Sequence, residues 1–87
     1  MKITVEKPEA TVVEMMRRCP TWSKEASVFD WQYDDSETCY LLAGDVRVVT
    51  NDGETVEFGT GDLVTFPAGL KCTWEIRTPV HKHYRFG

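Results

Sequence analysis

The sequence predicts an all-β domain, a jelly-roll barrel of about eight short strands preceded by one short helix. From Thr21 onward apolar and polar residues alternate with a period of two, as in half-buried strands. Clusters of Gly, Pro, Asn and Asp separate these runs at intervals of roughly 8–12 residues. The length of 87 residues favours one domain, with an N-terminal strand and helix in 1–20 and the barrel in 21–87.

The N-terminal segment is predicted to contain one strand and one helix. Residues 2–6 alternate and favour a strand, whereas residues 8–18 favour a helix. Pro8 suits the first helical position, and Pro20 prevents the helix from continuing. The apolar stripe on this helix consists of Val12, Val13 and Met16.

The barrel is predicted from a series of alternating runs. They are residues 27–34, 36–42, 45–50, 54–58, 62–66, 70–77 and 80–86. The turn 51–53 joins two of them as a hairpin. Pro79 is expected to end the run 70–77, because proline cannot donate a ladder hydrogen bond. The inward face of that run is Leu70, Cys72, Trp74 and Ile76.

Composition excludes two classes of partner. The net charge of -4 and the scattered basic residues argue against nucleic acid, which requires a concentrated basic surface. No apolar run approaches the ~18 residues of a membrane span, so no membrane partner is expected. Three cysteines, an odd number, without a recognisable signal peptide predict free thiols and a cytoplasmic location.

Two sequence segments are informative about function: 37-ETCYLLAG-44 and 61-GDLVTFPAGLKC-72. In the first, a glutamate precedes a glycine by seven residues. In the second, Gly61, Pro67, Gly69 and Cys72 follow one another at fixed spacing. A hairpin connects the two phrases.

This arrangement resembles the two motifs of the cupin superfamily. The first cupin motif has two histidines, a glutamate and a glycine, and the second has glycine, proline, glycine and a histidine. The stretches FDWQYDDSETCYLLAG, GDLVTFPAGLKCTWE and KHYRF further resemble the small single-domain cupins grouped with the ureidoglycine aminohydrolase cupin domain. The resemblance implies a double-stranded β-helix barrel with a central pocket.

The sequence departs from the cupin pattern where a metal would be held. The resemblance places Trp31, Tyr33 and Cys72 at the positions of the three histidines, so Glu37 is the one remaining family ligand. Indole does not offer a nitrogen lone pair to a metal, and tyrosine rarely binds one. No metal and no other cofactor is therefore expected.

The resemblance implies a pocket with aromatic walls and one carboxylate. Glu37, Cys72 and His83 are the candidate catalytic residues, with His83 near the pocket mouth. The candidate ligand-binding residues are Trp31, Tyr33, Cys39, Phe66 and Trp74. Such a pocket suits a small cationic or amide-bearing molecule. Lys82, Lys24 and Glu25 are expected at the rim, where such charges usually form a surface salt bridge across strands.

Several interpretations of these side chains stay open. Cys39 and Cys72 fit a buried apolar role, a reversible disulfide, a zinc site with Glu37 and His83, or a nucleophilic thiol with His83 as base. Glu37 fits either a ligand-binding or a purely structural acid. The exposed face of the strand with Tyr40 requires cover from the helix or from a second copy in a homodimer.

The predicted function is accordingly a cupin-fold protein with a small-molecule pocket centred on Glu37 and Cys72, without the usual metal. Two alternatives remain. One is a metal-dependent, aminohydrolase-like enzyme acting on a small nitrogen-rich metabolite. The other is a non-catalytic structural or protein-interaction module.

Overall fold

The computed structural model describes residues 1–87 and contains seven strands and one short helix. This confirms the predicted all-β class with an N-terminal helix. The elements are β1 Thr4–Glu6, α1 Ala10–Met16, β2 Thr21–Lys24, β3 Ser27–Gln32, β4 Glu37–Thr50, β5 Thr55–Gly59, β6 Leu63–Phe66 and β7 Lys71–Phe86.

Two long strands organise the sheet, and every pairing is antiparallel. β4 and β7 pair with each other along nearly their whole length. On its other edge β7 pairs first with β3 and then with β2, and β4 pairs first with β6 and then with β5. Because each long strand changes partner midway, the sheet bends around a single core.

The two long strands are continuous where the sequence predicted breaks. The expectation that Pro79 ends a strand is wrong, because the register between β4 and β7 shifts around that residue. Such bulges leave backbone groups outside the regular ladder, so a proline is tolerated there. Gly44 lies opposite this bulge with φ +127°, and a Cβ at Gly44 would lie 2.9 Å from Cγ2 of Val80. Glycine is therefore required where the strands bend.

The barrel core is apolar and has an aromatic centre. The rings of Tyr33 and Phe66 stack with centroids 4.7 Å apart, and the ring of Trp74 lies 5.6 Å from that of Phe66. The aliphatic residues around them alternate along β4 and β7, as the period-two pattern predicts. They include Leu41, Val46, Val48, Ile76 and Val80.

Helix α1 packs against the outside of β4 and β7. Its residue Met16 is fully buried but does not belong to the core cluster, so it covers the opposite face of the sheet. The helix thus covers part of the outer sheet face, as one of the two expectations had it. Coverage of this face by a second copy of the chain stays a prediction. No helix in the structure is long and apolar enough to cross a bilayer.

Candidate functional site

A pocket of about 200 Å³ opens at one end of the barrel, beside β2 and β3. Seven of its nine lining residues are hydrophobic. The lining residues are Trp22, Phe29, Trp31, Tyr33, Glu37, Trp74, Lys82, Tyr84 and Phe86. All three tryptophans of the chain belong to this set. The pocket is therefore an aromatic cavity with two charged side chains.

The strand period explains how these side chains converge. Alternate residues of a strand face the same side, so Phe29 and Trp31 on β3 face the pocket together. On β7 the same face carries Trp74, Lys82 and Tyr84. The pocket thus extends along β7 from Trp74, which pairs with β3, to Lys82, which pairs with β2.

A buried ion pair forms the polar centre of the pocket. Nζ of Lys82 donates a hydrogen bond to Oε2 of Glu37 over 2.8 Å, and each side chain is only 7% exposed. The same ammonium lies 4.9 Å from the ring centroids of both Trp22 and Trp74. Opposite charge and two aromatic faces hold the cation in place, which offsets part of the cost of removing it from water.

The pocket centre keeps unused hydrogen-bonding capacity. Oε1 of Glu37 accepts no hydrogen bond. Every fully buried polar side-chain atom in the structure has a hydrogen-bond partner, so Oε1 is not fully buried and borders the open pocket. The hydroxyl of Tyr33 accepts a hydrogen bond from Nε1 of Trp74 over 3.1 Å and retains its own proton for donation. Burial, reinforced by the nearby Glu37 carboxylate, raises the pKa of Tyr33 far above its ordinary value. Tyr33 therefore stays a neutral donor.

The structure brings some of the predicted site residues together. Glu37, Trp31, Tyr33 and Trp74 all line the pocket. Trp31 is 51% exposed, so its ring forms the outer wall, whereas Tyr33 and Trp74 are buried. Phe66 lies in the core behind the stacked ring of Tyr33.

The two predicted thiols lie outside the pocket lining. Cys39 is fully buried in the core, and burial raises its pKa to about 12. Cys72 lies opposite Trp31 on the paired strands and lines a second groove on the other side of that ring. Burial, with a contribution from Asp30, raises the pKa of Cys72 to about 11. Both cysteines are free thiols in the structure.

His83 lies on the outer face of β7, opposite to Lys82. Its Nδ1 is 2.9 Å from the backbone carbonyl oxygen of Cys19, so it ties β7 to the end of the helix segment. No three His, Cys, Asp or Glu side chains converge anywhere in the structure. The set of Glu37, Cys39, Cys72 and His83 considered for zinc is therefore not assembled.

Lys82 is the main residue that the sequence analysis misplaced. The expected surface salt bridge at the rim is wrong, because Lys82 is buried and pairs with Glu37. The alternation along β7 carried a signal for this, since Lys82 lies between the inward positions Val80 and Tyr84. Four further lining residues were not among the candidate site residues from sequence: Trp22, Phe29, Tyr84 and Phe86.

The residues present do not fit the metal that the cupin resemblance implies. The pocket offers a single carboxylate, and indole rings and a neutral phenol complete its walls. Divalent metals in proteins take several nitrogen, sulfur or oxygen ligands at once. A metal ion near Glu37 would also meet the ammonium of Lys82, a like charge already at 2.8 Å from the carboxylate.

Comparison with known proteins agrees with this architecture. The family described as the EutQ-like cupin domain matches residues 13–84. A DUF861 family protein from Thermotoga maritima has a crystal structure with a TM-score of 0.96 and 45% identity, and the match covers 99% of this chain and 100% of that one. No curated protein matches the chain.

More distant solved structures share the fold alone. The EutQ protein of Clostridium difficile is 21% identical with a TM-score of 0.69, over 76% of this chain and 52% of that one. A DUF1255 protein from Acidithiobacillus ferrooxidans is 19% identical with a TM-score of 0.69, over 72% and 60% of the two chains. This chain thus spans only about half of EutQ. The cupin resemblance is confirmed, and the chain belongs to the EutQ-like cupin domain family.

Proposed function

We propose that this protein binds a small, electrically neutral organic molecule in the aromatic pocket, where Lys82 and Glu37 fix the polar group of that molecule. The observation that carries the proposal is the ion pair itself. An ammonium held 2.8 Å from a carboxylate and between two indole rings forms the floor of an otherwise apolar cavity. Ligand pockets commonly combine apolar walls with a few well-placed polar groups of this kind.

The size of the pocket supports a small ligand. A volume of about 200 Å³ corresponds to roughly seven water molecules. Pockets for drug-sized ligands run from ~300 to ~1,000 Å³. Flat molecules are favoured, because an exposed aromatic wall such as Trp31 can stack on planar groups.

The charge balance of the pocket supports a neutral ligand. The charges of Glu37 and Lys82 cancel, and both side chains are almost fully enclosed. A cationic ligand would be repelled by Lys82, and an anionic ligand by Glu37, where little water screens either charge. Of the cationic and amide-bearing classes expected from sequence, the neutral amide class agrees with this balance.

Binding is better supported than thiol catalysis. With a pKa of about 11, Cys72 is a protonated thiol at neutral pH. A nucleophilic thiol requires a neighbouring base, and His83 faces the other side of β7. The metal-dependent alternative is not supported either, since the pocket offers one carboxylate as its metal ligand.

Tryptophan signals provide the test. Because all three indoles line the pocket, their Nε1–H resonances in proton–nitrogen correlation spectra report on occupancy. A screen of small neutral aromatic amides, alcohols and ketones is expected to give saturable shifts of these resonances. Trp31→Ala should weaken binding, whereas Val28→Ala, an exposed residue on the same strand that does not line the pocket, should not. Absence of any saturable shift across the screen would overturn the proposal.

A further inference from the structure

We infer that the polar group bound at the Glu37–Lys82 pair is a carboxamide. The inference rests on the proposed function, because it names the ligand class for the same pocket. It follows from the hydrogen-bonding capacity that the ion pair leaves unused.

The pocket floor has hydrogen-bond donors and acceptors that the protein itself leaves free. Oε1 of Glu37 is an unused acceptor that borders the cavity. Nζ of Lys82 has three hydrogens, of which one is given to Oε2 of Glu37. The hydroxyl of Tyr33 also keeps its proton, because its hydrogen-bond partner, Nε1 of Trp74, is a donor. The pocket therefore presents one free acceptor and two free donors.

A carboxamide complements these free donors and acceptors. A carboxamide carries an acceptor oxygen and a donor nitrogen on adjacent atoms and has no net charge. Its nitrogen can donate to Oε1 of Glu37 while its oxygen accepts from Lys82 or Tyr33. The two protein groups are themselves adjacent, since Nζ and Oε2 are 2.8 Å apart. The amide plane also extends into a flat body between aromatic walls.

Simpler head groups match the free donors and acceptors less well than a carboxamide does. A carboxylate or an ammonium adds an unbalanced charge and offers acceptors alone or donors alone. A ketone accepts but cannot donate, so Oε1 of Glu37 would lose its water without gaining a donor. Leaving such a group unsatisfied weakens binding by roughly tenfold or more. A hydroxyl presents one atom where the pocket offers two partners.

The experiment compares probes that share one phenyl ring and differ in the head group. Benzamide, acetophenone, benzyl alcohol, benzoate and benzylamine are titrated at pH 7 into the full chain, and the indole Nε1–H shifts give each dissociation constant. Benzamide is expected to bind at least roughly tenfold more tightly than each of the other four.

A double variant tests the origin of this preference. Glu37→Leu with Lys82→Met removes both charges at once and keeps the site filled, an exchange that folded proteins often tolerate. The double variant should lose the preference for benzamide over acetophenone. The control, Glu57→Leu with Arg77→Met, removes an exposed ion pair elsewhere, together with the second contact of Arg77 to Asp45, and should keep the preference.

The outcomes separate the inference from the proposed function. Equal affinity for benzamide and acetophenone would overturn the carboxamide assignment and leave the neutral pocket standing. Tightest binding of benzoate or benzylamine would overturn the carboxamide and also the neutrality of the ligand. Binding of none of the five probes would overturn the carboxamide inference, and the broader screen of neutral ligands then decides the pocket. A preference that survives in the Glu37→Leu/Lys82→Met variant would also contradict the inference.

Discussion

Lys82 and Glu37 lie 45 residues apart in the sequence and meet as a buried ion pair, with Nζ 2.8 Å from Oε2. The strand register brings them to the same region, because Lys82 pairs with Leu41, which is four residues from Glu37 on the same face of β4, and the long lysine side chain spans that offset. The pair lies on the floor of the aromatic pocket, between Trp22 and Trp74. A side chain of the protein itself therefore supplies the positive charge opposite the glutamate.

Removing one partner of this pair should be far more harmful than removing both. Lys82→Met leaves the Glu37 carboxylate buried without its partner, which typically costs ~3–5 kcal/mol. Glu37→Leu with Lys82→Met removes both charges, so its free energy of unfolding should lie closer to that of the unmodified protein. Urea denaturation measures both values. If the double variant is as unstable as the single one, the pair is not coupled as described.

The hydrogen bond between Tyr33 and Trp74 should contribute measurably to stability. Tyr33→Phe keeps the ring that stacks on Phe66 at 4.7 Å but removes the oxygen that accepts from Nε1 of Trp74. The buried indole N–H then lacks an acceptor, and the expected loss is ~1–3 kcal/mol. Thermal or urea unfolding gives the loss. In a Trp74→Phe background the same change at Tyr33 should cost much less, and an unchanged cost would contradict the assignment.

The bend of the long strands should depend on glycine at position 44. In Gly44→Ala the new Cβ would lie 2.9 Å from Cγ2 of Val80 and 3.2 Å from the carbonyl oxygen of Pro79, at a φ of +127°. Gly53→Ala is a matched control, because φ is +91° there but nothing lies within 4 Å of the added Cβ. Both changes impose an unfavourable φ, typically ~1–2 kcal/mol, and Gly44→Ala should cost at least ~1 kcal/mol more. Similar unfolding free energies would argue against a crowded bend.

Stability should decrease in alkaline solution because of the buried thiols and, near pH 10 and above, because of the buried Tyr33 hydroxyl, whose pKa is also raised by burial. The pKa of Cys39 rises from 9.0 to about 12 on folding, and that of Cys72 rises to about 11. At a pH between the pKa of the unfolded thiol and that of the folded thiol, the folded chain holds more protons than the unfolded chain. The stability contributed by the buried thiols is therefore complete below pH 9 and decreases as pH rises. Each thiol contributes a slope of up to ~1.4 kcal/mol per pH unit in that window.

The contribution of one thiol to this slope can be isolated. Cys39→Ala lowers stability at every pH but should make its decrease above pH 9 shallower, because one ionising group is gone. Urea unfolding at a series of pH values from 7 to 10.5 measures the slope. An unchanged slope in Cys39→Ala would show that burial of this thiol does not control the alkaline transition.

The fold was largely predictable because its signals are local. The period-two run around Trp74 and the turn at 51–53 both predicted elements that the structure contains. The continuity of β4 and β7 was not predictable in this way. Pro79 is a strong local signal for a strand end, and the bulge that tolerates it exists because β7 pairs with the distant Gly44 region.

The aromatic lining of the site was more predictable than its buried ion pair. The cupin resemblance, combined with the strand alternation, implied one pocket for Trp31, Tyr33 and Glu37, and all three side chains line the cavity. The same alternation applied to Lys82, but a lysine is almost never buried without a partner, and the partner is remote in sequence. Trp31 lines both the pocket and a second groove, and Cys72 lines only the second groove. The three-dimensional packing around Trp31 determines this, so the sequence could not predict it.

The most direct test of the central claim, that Lys82 supplies the cation of this pocket, is a titration with manganese. Mn²⁺ is paramagnetic and broadens nearby resonances, so the indole Nε1–H signals of Trp22, Trp31 and Trp74 report whether an ion enters. If Lys82 supplies this cation, no saturable broadening of these three signals is expected up to several equivalents of Mn²⁺. Broadening that saturates near one equivalent and is abolished by Glu37→Gln would contradict it.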